Sequence, residues 1–234
     1  MVTRKKGNET RRRLLEVAFE VIRRKGFQAA GLGEILTAAG LTKGALYHHF
    51  RDKIHLGYAV IEEIVGEIID ERWIAPLPAG GDPLTVIPQA MRTAAEAMDD
   101  RDIELGCPLG NLSAEMSALD EGFAQRIDAI YEKWRNFLTE LLSAGESVLD
   151  DDPERIAAFI VATLSGCLAH AKAARRRDIL LYGITELEFY LNQIRAETSE
   201  PPAAKPPPAE TAPESPEPEA TYAPPPAEME DYLL

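Results

Sequence analysis

Gly40 stands between two short stretches whose apolar residues recur at helical spacing, Ile35 and Ala39 before it and Leu41, Leu46 and Phe50 after it. A glycine there lets the backbone turn left-handed without steric cost, so two helices can cross within a few residues. Thr42 carries the hydroxyl that suits a helix N-cap and opens the second of them. Few alternatives survive this arrangement. The first fifty residues must contain a helix-turn-helix, and the rest of the chain has to cover its apolar back.

The same period continues along the chain. Residues 10–25 bring Leu14, Leu15, Ala18, Val21 and Ile22 to one side, with Thr10 and Gly26 as end signals. A longer helix after Lys53 runs to Ile74, where Pro76 and Pro78 stop it. Past a Pro- and Gly-rich linker at 77–82, helices are expected over 83–101, 108–118, 121–144, 153–175 and 179–194. Proline and carboxylates mark several of their starts, and the basic run 175–177 suits the negative end of one. No window alternates with period two. The expected fold is all-α, with a three-helix domain over 8–68, a larger helical domain over 75–195, and a tail at 196–234. That tail holds 11 of the 17 prolines and is expected to be extended and disordered, with Tyr232, Leu233 and Leu234 as its candidates for docking.

The net charge of −14 argues against a nucleic-acid partner until it is divided. Residues 1–57 carry a net of +7, residues 58–195 a net of −13, and the tail a net of −8. A polyanion responds to the local field, so the basic front quarter can bind it while the remainder repels it. On the third helix Lys43, Gly44, Ala45, Tyr47 and His48 remain outward once Leu46 faces the core. That set suits a major groove and its flanking phosphates, and the small residues allow close approach. Phe50 is expected to anchor the helix from inside. Arg11, Arg12 and Arg13 read as a solvated helix face, and residues 4–6 as a flexible basic arm able to reach a phosphate or minor groove.

Gly26-Phe27, then Ala38-Ala39-Gly40-Leu41-Thr42-Lys43-Gly44-Ala45-Leu46-Tyr47-His48-His49-Phe50 and Lys53, resembles the N-terminal domain of TetR-family transcriptional regulators. The helical remainder is similar in layout and length. Gly106-Cys107-Pro108-Leu109-Gly110-Asn111-Leu112, with Glu115, resembles a segment found in a subset of that family. The resemblance implies a homodimeric DNA-binding repressor, released from a palindromic operator when a small-molecule inducer enters the C-terminal domain. On matching positions, Thr42, Lys43, Tyr47 and Lys53 would contact phosphates. Ala45 and His48 would lie nearest base edges, and Gly44 would permit the approach. Two departures stand out. Ala30 and Gly31 replace the usual Thr-Ser pair that caps the second helix and touches a phosphate, and Leu36 replaces a small alanine.

Dimerisation is expected through the last two long helices, with Val161, Leu164, Leu168, Leu180, Leu181, Ile184, Leu187 and Leu191 as apolar surface. A cavity is expected between the 84–101, 108–118 and 121–144 helices. Trp73, Met91, Met98, Met116, Phe123, Trp134 and Phe137 are its candidate walls, although such residues equally make plain core. Asn111 and Glu115, one turn apart, are the polar candidates, and the acidic surplus hints at a cationic or neutral ligand. Cys107 precedes Pro108 at a helix start, where a lowered thiol pKa would make it an electrophile or redox sensor; the alternative is a packing residue. Cys167 reads as packing.

Two cysteines cannot build a disulfide framework, and no Cys/His spacing suits zinc. No run approaches 18 consecutive apolar residues, and no apolar signal core follows the basic start. The expectation is a cytoplasmic, non-membrane chain without cofactor or metal. Nothing resembles a phosphate loop or nucleophile elbow, and His170 is the one histidine beyond residue 55. The remaining alternative, which the departures at Ala30 and Gly31 leave open, is a protein-interaction adaptor that no longer binds DNA and works through its proline-rich tail.

Overall fold

The computed structural model describes residues 2–78, 80–145 and 151–195, without the side chains of 2–6. The Pro-rich tail with its terminal Tyr-Leu-Leu, Asp150, and the basic side chains of residues 4–6 therefore lie outside the described residues. Every element that is described is helical. Helix α1 (Val2–Lys25) starts well before Thr10, which sits inside it, and the backbone of residues 4–6 belongs to this helix and not to a flexible arm. It buries Leu14, Leu15, Ala18 and Ile22 against α2 (Leu32–Ala39) and α4 (Lys53–Val60). Gly26 ends it at φ +85, a value that favours glycine.

Helix α3 (Lys43–His49) follows Gly40, which takes φ +65 as the turn requires. From α4 the chain continues as one rod through a π-helical turn at Ile61–Val65, α5 (Gly66–Ile69) and a second π-helical turn at Asp70–Ile74. The wide turns close with bonds from Gly66 N to Ile61 O and from Ala75 N to Asp70 O. Ile64, Val65, Ile69 and Trp73 face the core, while Glu63 and Glu67 face α1.

The helix expected over 83–101 is two helices, α6 (Pro83–Ala97) and α7 (Asp100–Leu105). The break has a local cause. The Asp99 carboxylate accepts the Asp102 N–H at 2.7 Å and caps a new start, while Met98 turns inward. Helices α8 (Pro108–Met116), α9 (Glu121–Ala144), α10 (Pro153–Ala174) and α11 (Arg177–Gln193) follow close to expectation. Asp120 and Asp152 cap α9 and α10. Helix α10 packs between α9 and α11, and α11 also packs on α6. One apolar core runs from Leu14 to Leu191, so the N-terminal helices and the larger bundle form a single compact unit.

The stripe expected to form a dimer surface is core. Val161, Leu164, Leu168, Leu180, Ile184, Leu187 and Leu191 are all buried within the chain, and Leu181 is partly so. The outer face of the same two helices instead exposes Phe159, Tyr182 and Phe189, beside Ala158, Ala162, Gly166 and Ala169. The period of 3.6 marks two apolar sides on such helices and does not say which side the chain itself covers. Helix α10 is long and apolar enough to cross a membrane by composition, but Ile156, Ala157, Ile160 and Leu164 on it belong to the core.

Candidate nucleic-acid interface and junction cavity

Helix α3 is held from behind and bare in front. Leu46 is fully buried and Phe50, its C-cap, nearly so, with the Arg11 guanidinium 5.1 Å from the Phe50 ring centroid. At the other end Thr42 Oγ1 accepts the Ala45 N–H at 3.3 Å, so the cap read from the sequence is made. Thr42, Lys43, Gly44, Tyr47 and His48 are exposed, and Ala45 is half-buried. Tyr47 is 57% exposed, so it does not pack on α4. Lys43 has no carboxylate partner among the described residues.

Gly44 is instructive because nothing inside the chain requires it. A Cβ there would meet only Thr42 Oγ1, at 3.8 Å. At the start of α2, a Cβ on Gly33 would meet nothing within 4 Å and one on Gly31 only Glu34 Cβ, at 4.0 Å. Glycine within a helix costs about 1 kcal/mol against alanine. Accepting that cost at an exposed site fits close approach by something outside the chain. Gly31 makes no side-chain cap on α2, as the departure from the Thr-Ser pair implied.

The arginines on α1 are less free than a solvated face would be. Arg11 makes a two-pronged pair with Glu63, both bonds at 2.5 Å, and Arg12 a similar one with Glu67 at 2.8 and 2.9 Å. They tie α1 to the π-helical rod. Lys53 is also engaged. Its ammonium donates to the Gln28 carbonyl at 3.0 Å and lies 4.7 Å from the Phe27 ring centroid, and burial lowers its pKa. Two of its three N–H groups remain for a phosphate.

Behind this face, two contacts join the N-terminal helices to the larger bundle. The first is closely packed. A Cβ on Gly57 of α4 would come within 2.5 Å of Phe27 and 2.7 Å of Phe123 of α9. Tyr58 donates to Asp120 at 2.7 Å, with the Arg126 guanidinium 4.0 Å from its ring centroid. The second contact is polar and leaves space. A cavity of about 340 Å³ lies where the end of α1 meets α8 and α10, with Asn111, Glu115 and Lys172 among its lining. The Glu115 carboxylate accepts the N–H groups of both Phe27 and Gln28 at 2.8 Å, capping the turn after α1 from the neighbouring bundle. Asn111 Nδ2 donates to Leu105 O, and Lys172 Nζ donates to Asn111 Oδ1, each at 2.8 Å. Nearby, Asp102 takes Arg23 at 2.5 Å and Arg72 at 2.8 Å. Burial alone would raise its pKa, but the two guanidinium groups hold the carboxyl below its ordinary value.

This cavity does not lie among the expected wall residues, although Phe137 lines a separate opening with Ile74 and Lys133. Trp73, Met91, Met98, Met116, Phe123 and Trp134 are buried, with Trp134 only 1% exposed and stacked on Trp73 at 6.1 Å between centroids. Trp134 is core, and its Nε1 finds no acceptor among the described residues. Asn111 and Glu115 do share the cavity. Arg23, Arg24 and Lys172, which line it with them, carried no sequence signal, because they come from helices far apart in the chain.

Cys107 is the N-cap residue of α8, as expected, but its thiol is not lowered. Burial pushes it up, against the Leu109 and Gly110 N–H groups and the Arg72 and Arg23 charges, which act the other way. Burial dominates because a thiolate gives up its hydration there. Cys167 lies between α10 and α11, where a Cβ on Gly183 would fall 2.1 Å from its Sγ, which makes it a packing residue. Both cysteines are free thiols. No His, Cys, Asp and Glu grouping among the described residues could hold a metal ion.

A capped, exposed helix joined by a glycine turn to a second short one, backed by an all-helical bundle with a cavity, defines a helix-turn-helix transcriptional regulator. Residues 14–57 match the model of bacterial regulatory proteins of the tetR family, and residues 83–182 that of the C-terminal domain of LmrA/YxaF-like transcriptional regulators. The transcriptional regulator AcuR of Cereibacter sphaeroides is 31% identical over 174 residues, covering 71% of this chain and 78% of its own. The HTH-type transcriptional repressor DhaR of a Mycobacterium species is 26% identical, covering 73% of this chain and 86% of its own. A TetR regulator from Chloroflexus aurantiacus superposes with a TM-score of 0.71 at 26% identity, over 81% of this chain and 97% of that one. The chain belongs to the TetR family of transcriptional regulators.

Proposed function

We propose that the chain is a homodimeric repressor that binds a palindromic DNA operator through α3 and leaves it when a small molecule occupies the junction cavity. The observation that carries this reading is the bare face of α3, where Thr42, Lys43, Gly44, Tyr47 and His48 are exposed while Leu46 and Phe50 fix the helix from behind. Thr42, Lys43, Tyr47 and Lys53 are assigned to phosphates, Ala45 and His48 to base edges, and Gly44 to close backbone approach. Phosphate contacts set most of the affinity, and a two-fold dimer reads two half-sites about one helical turn apart. The exposed aromatics Phe159, Tyr182 and Phe189 on the outer face of α10 and α11 support a second copy as the partner there. The chain acts where its DNA is, in the cytoplasm, without catalysis or cofactor.

The test is a mobility-shift titration with DNA from the chain's own promoter region over a range of salt. Saturable binding to a palindrome, weakened by salt and by Lys43→Ala, supports the repressor. A folded chain that binds no duplex is the interaction adaptor instead. Comparing release by a thiol-reactive electrophile in wild type and Cys107→Ser separates a covalent inducer from a reversible one. Because burial keeps Cys107 as a thiol, equal release from both is expected.

A further inference from the structure

We propose that the junction cavity binds a small amphipathic organic acid, its anionic group held by Lys172 with Arg23 and Arg24, and that the bound anion loosens DNA by displacing Glu115 from the turn after α1. The proposal deepens the reading of the chain as a ligand-released repressor and rests on it for the DNA half.

The chemistry of the lining selects the ligand class. Phe19, Ile22, Pro108 and Leu112 supply apolar wall, and the charged groups are Arg23, Arg24, Lys25, Lys172 and Glu115. Four cations face one carboxylate. Lys25 is paired with Glu34 and Arg23 with Asp102, but among the described residues Arg24 bonds only a backbone carbonyl and Lys172 only the neutral Asn111 side chain. Arg23 Nε is buried with no acceptor among the described residues. The Lys172 stem lies on Gly106, where a Cβ would sit 2.8 Å from its Cδ, so the ammonium is held in place before any ligand arrives. A cationic ligand would meet four like charges here and a single carboxylate already engaged by two backbone N–H groups. A volume of about 340 Å³ is in the range of small-molecule sites. The acidic balance of the whole domain pointed to a cationic or neutral ligand; the local lining points the other way.

Glu115 makes such a site a switch. An anion beside it raises the cost of its charge, and its two acceptor bonds are what fasten α8 to the Phe27–Gln28 backbone. The carbonyl of Gln28 in turn holds Lys53, which is assigned to a DNA phosphate. Binding energy spent on Lys172 is thereby drawn from the turn that positions the DNA end.

Calorimetry on the full chain with benzoate and hexanoate, against benzamide and hexanamide at matched ionic strength, tests the site. Both acids should bind at least tenfold more tightly than their amides. Lys172→Gln should lose at least tenfold in acid affinity and Lys172→Arg should retain most of it, with melting curves verifying that both variants fold. Amides binding as well as acids, acid affinity unchanged in Lys172→Gln, or no binding of either acid at millimolar concentration would overturn the site. Operator binding measured with and without acid tests the coupling. Acid should weaken it in wild type but not in Glu115→Gln, which keeps the side chain's size and removes its charge. Equal weakening in both would overturn the role of Glu115. A chain that binds acids but no duplex would remove the repressor reading and leave the acid site standing.

Discussion

The α3 face and the Gly57 seam are built from similar residue types and have opposite designs. At α3 an aromatic, a lysine, a glycine and a histidine are left exposed, and the fold uses none of them. At the seam an aromatic cluster, a tyrosine and a glycine are closed on one another, with Phe27 and Phe123 at 4.6 Å between centroids and Gly57 beneath them. The glycines make the lesson plain. Gly57 is required by what lies inside the chain, and nothing described inside it requires Gly44. Substitution at one should therefore be read in stability, and at the other in binding.

The largest effect is expected at the seam. Gly57→Val forces a branched side chain onto Phe27 and Phe123, which should cost about 3 kcal/mol. In a domain of this size that lowers the melting temperature by roughly 6–12 °C, readable by calorimetry. Next, Tyr47→Ala and Lys43→Ala should each weaken operator binding about tenfold and leave the melting temperature almost unchanged, with Lys43→Ala also reducing the salt slope by about 1. A large loss of stability in either would erase the contrast. Thr42→Ala lies between the two regions, because its hydroxyl caps α3 and is assigned to a phosphate. It should cost about 1 kcal/mol of stability and weaken DNA binding as well.

The smallest effect is in pH. Burial lowers the His49 pKa, with His48 and Arg11 acting in the same direction. A depressed imidazole stays neutral in the folded chain where the unfolded chain takes a proton. Stability is therefore full above the ordinary imidazole range and is lost as pH falls through it. Measured at constant salt, this slope should flatten in His49→Gln.

Most helices of this chain were legible because their signals are local. Gly40, the Thr42 cap, the carboxylates before Pro153, and Pro83 and Pro108 within the first turns all act over a few residues. The Met98–Asp99 break was not read, since Asp99 as a cap competes with an otherwise continuous pattern and wins only when Met98 is buried. The outward residues of α3 followed once Leu46 was recognised as core. Asn111 and Glu115 were found as a pair one turn apart. Their partners were not, because Glu115 meets backbone N–H groups 88 and 87 residues earlier and Asn111 meets Lys172, 61 residues later.

By itself, the sequence determined an all-helical chain with a basic helix-turn-helix at its front, because periodicity, capping and turn chemistry are properties of neighbouring residues. Only the tertiary structure decided which side of α10 and α11 is left uncovered, that Trp134 is core, that the Cys107 thiol is raised, and that the cavity opens at the junction among cations. Each of those depends on desolvation or on distances between groups far apart in the chain, and neither quantity is written in any short stretch of it.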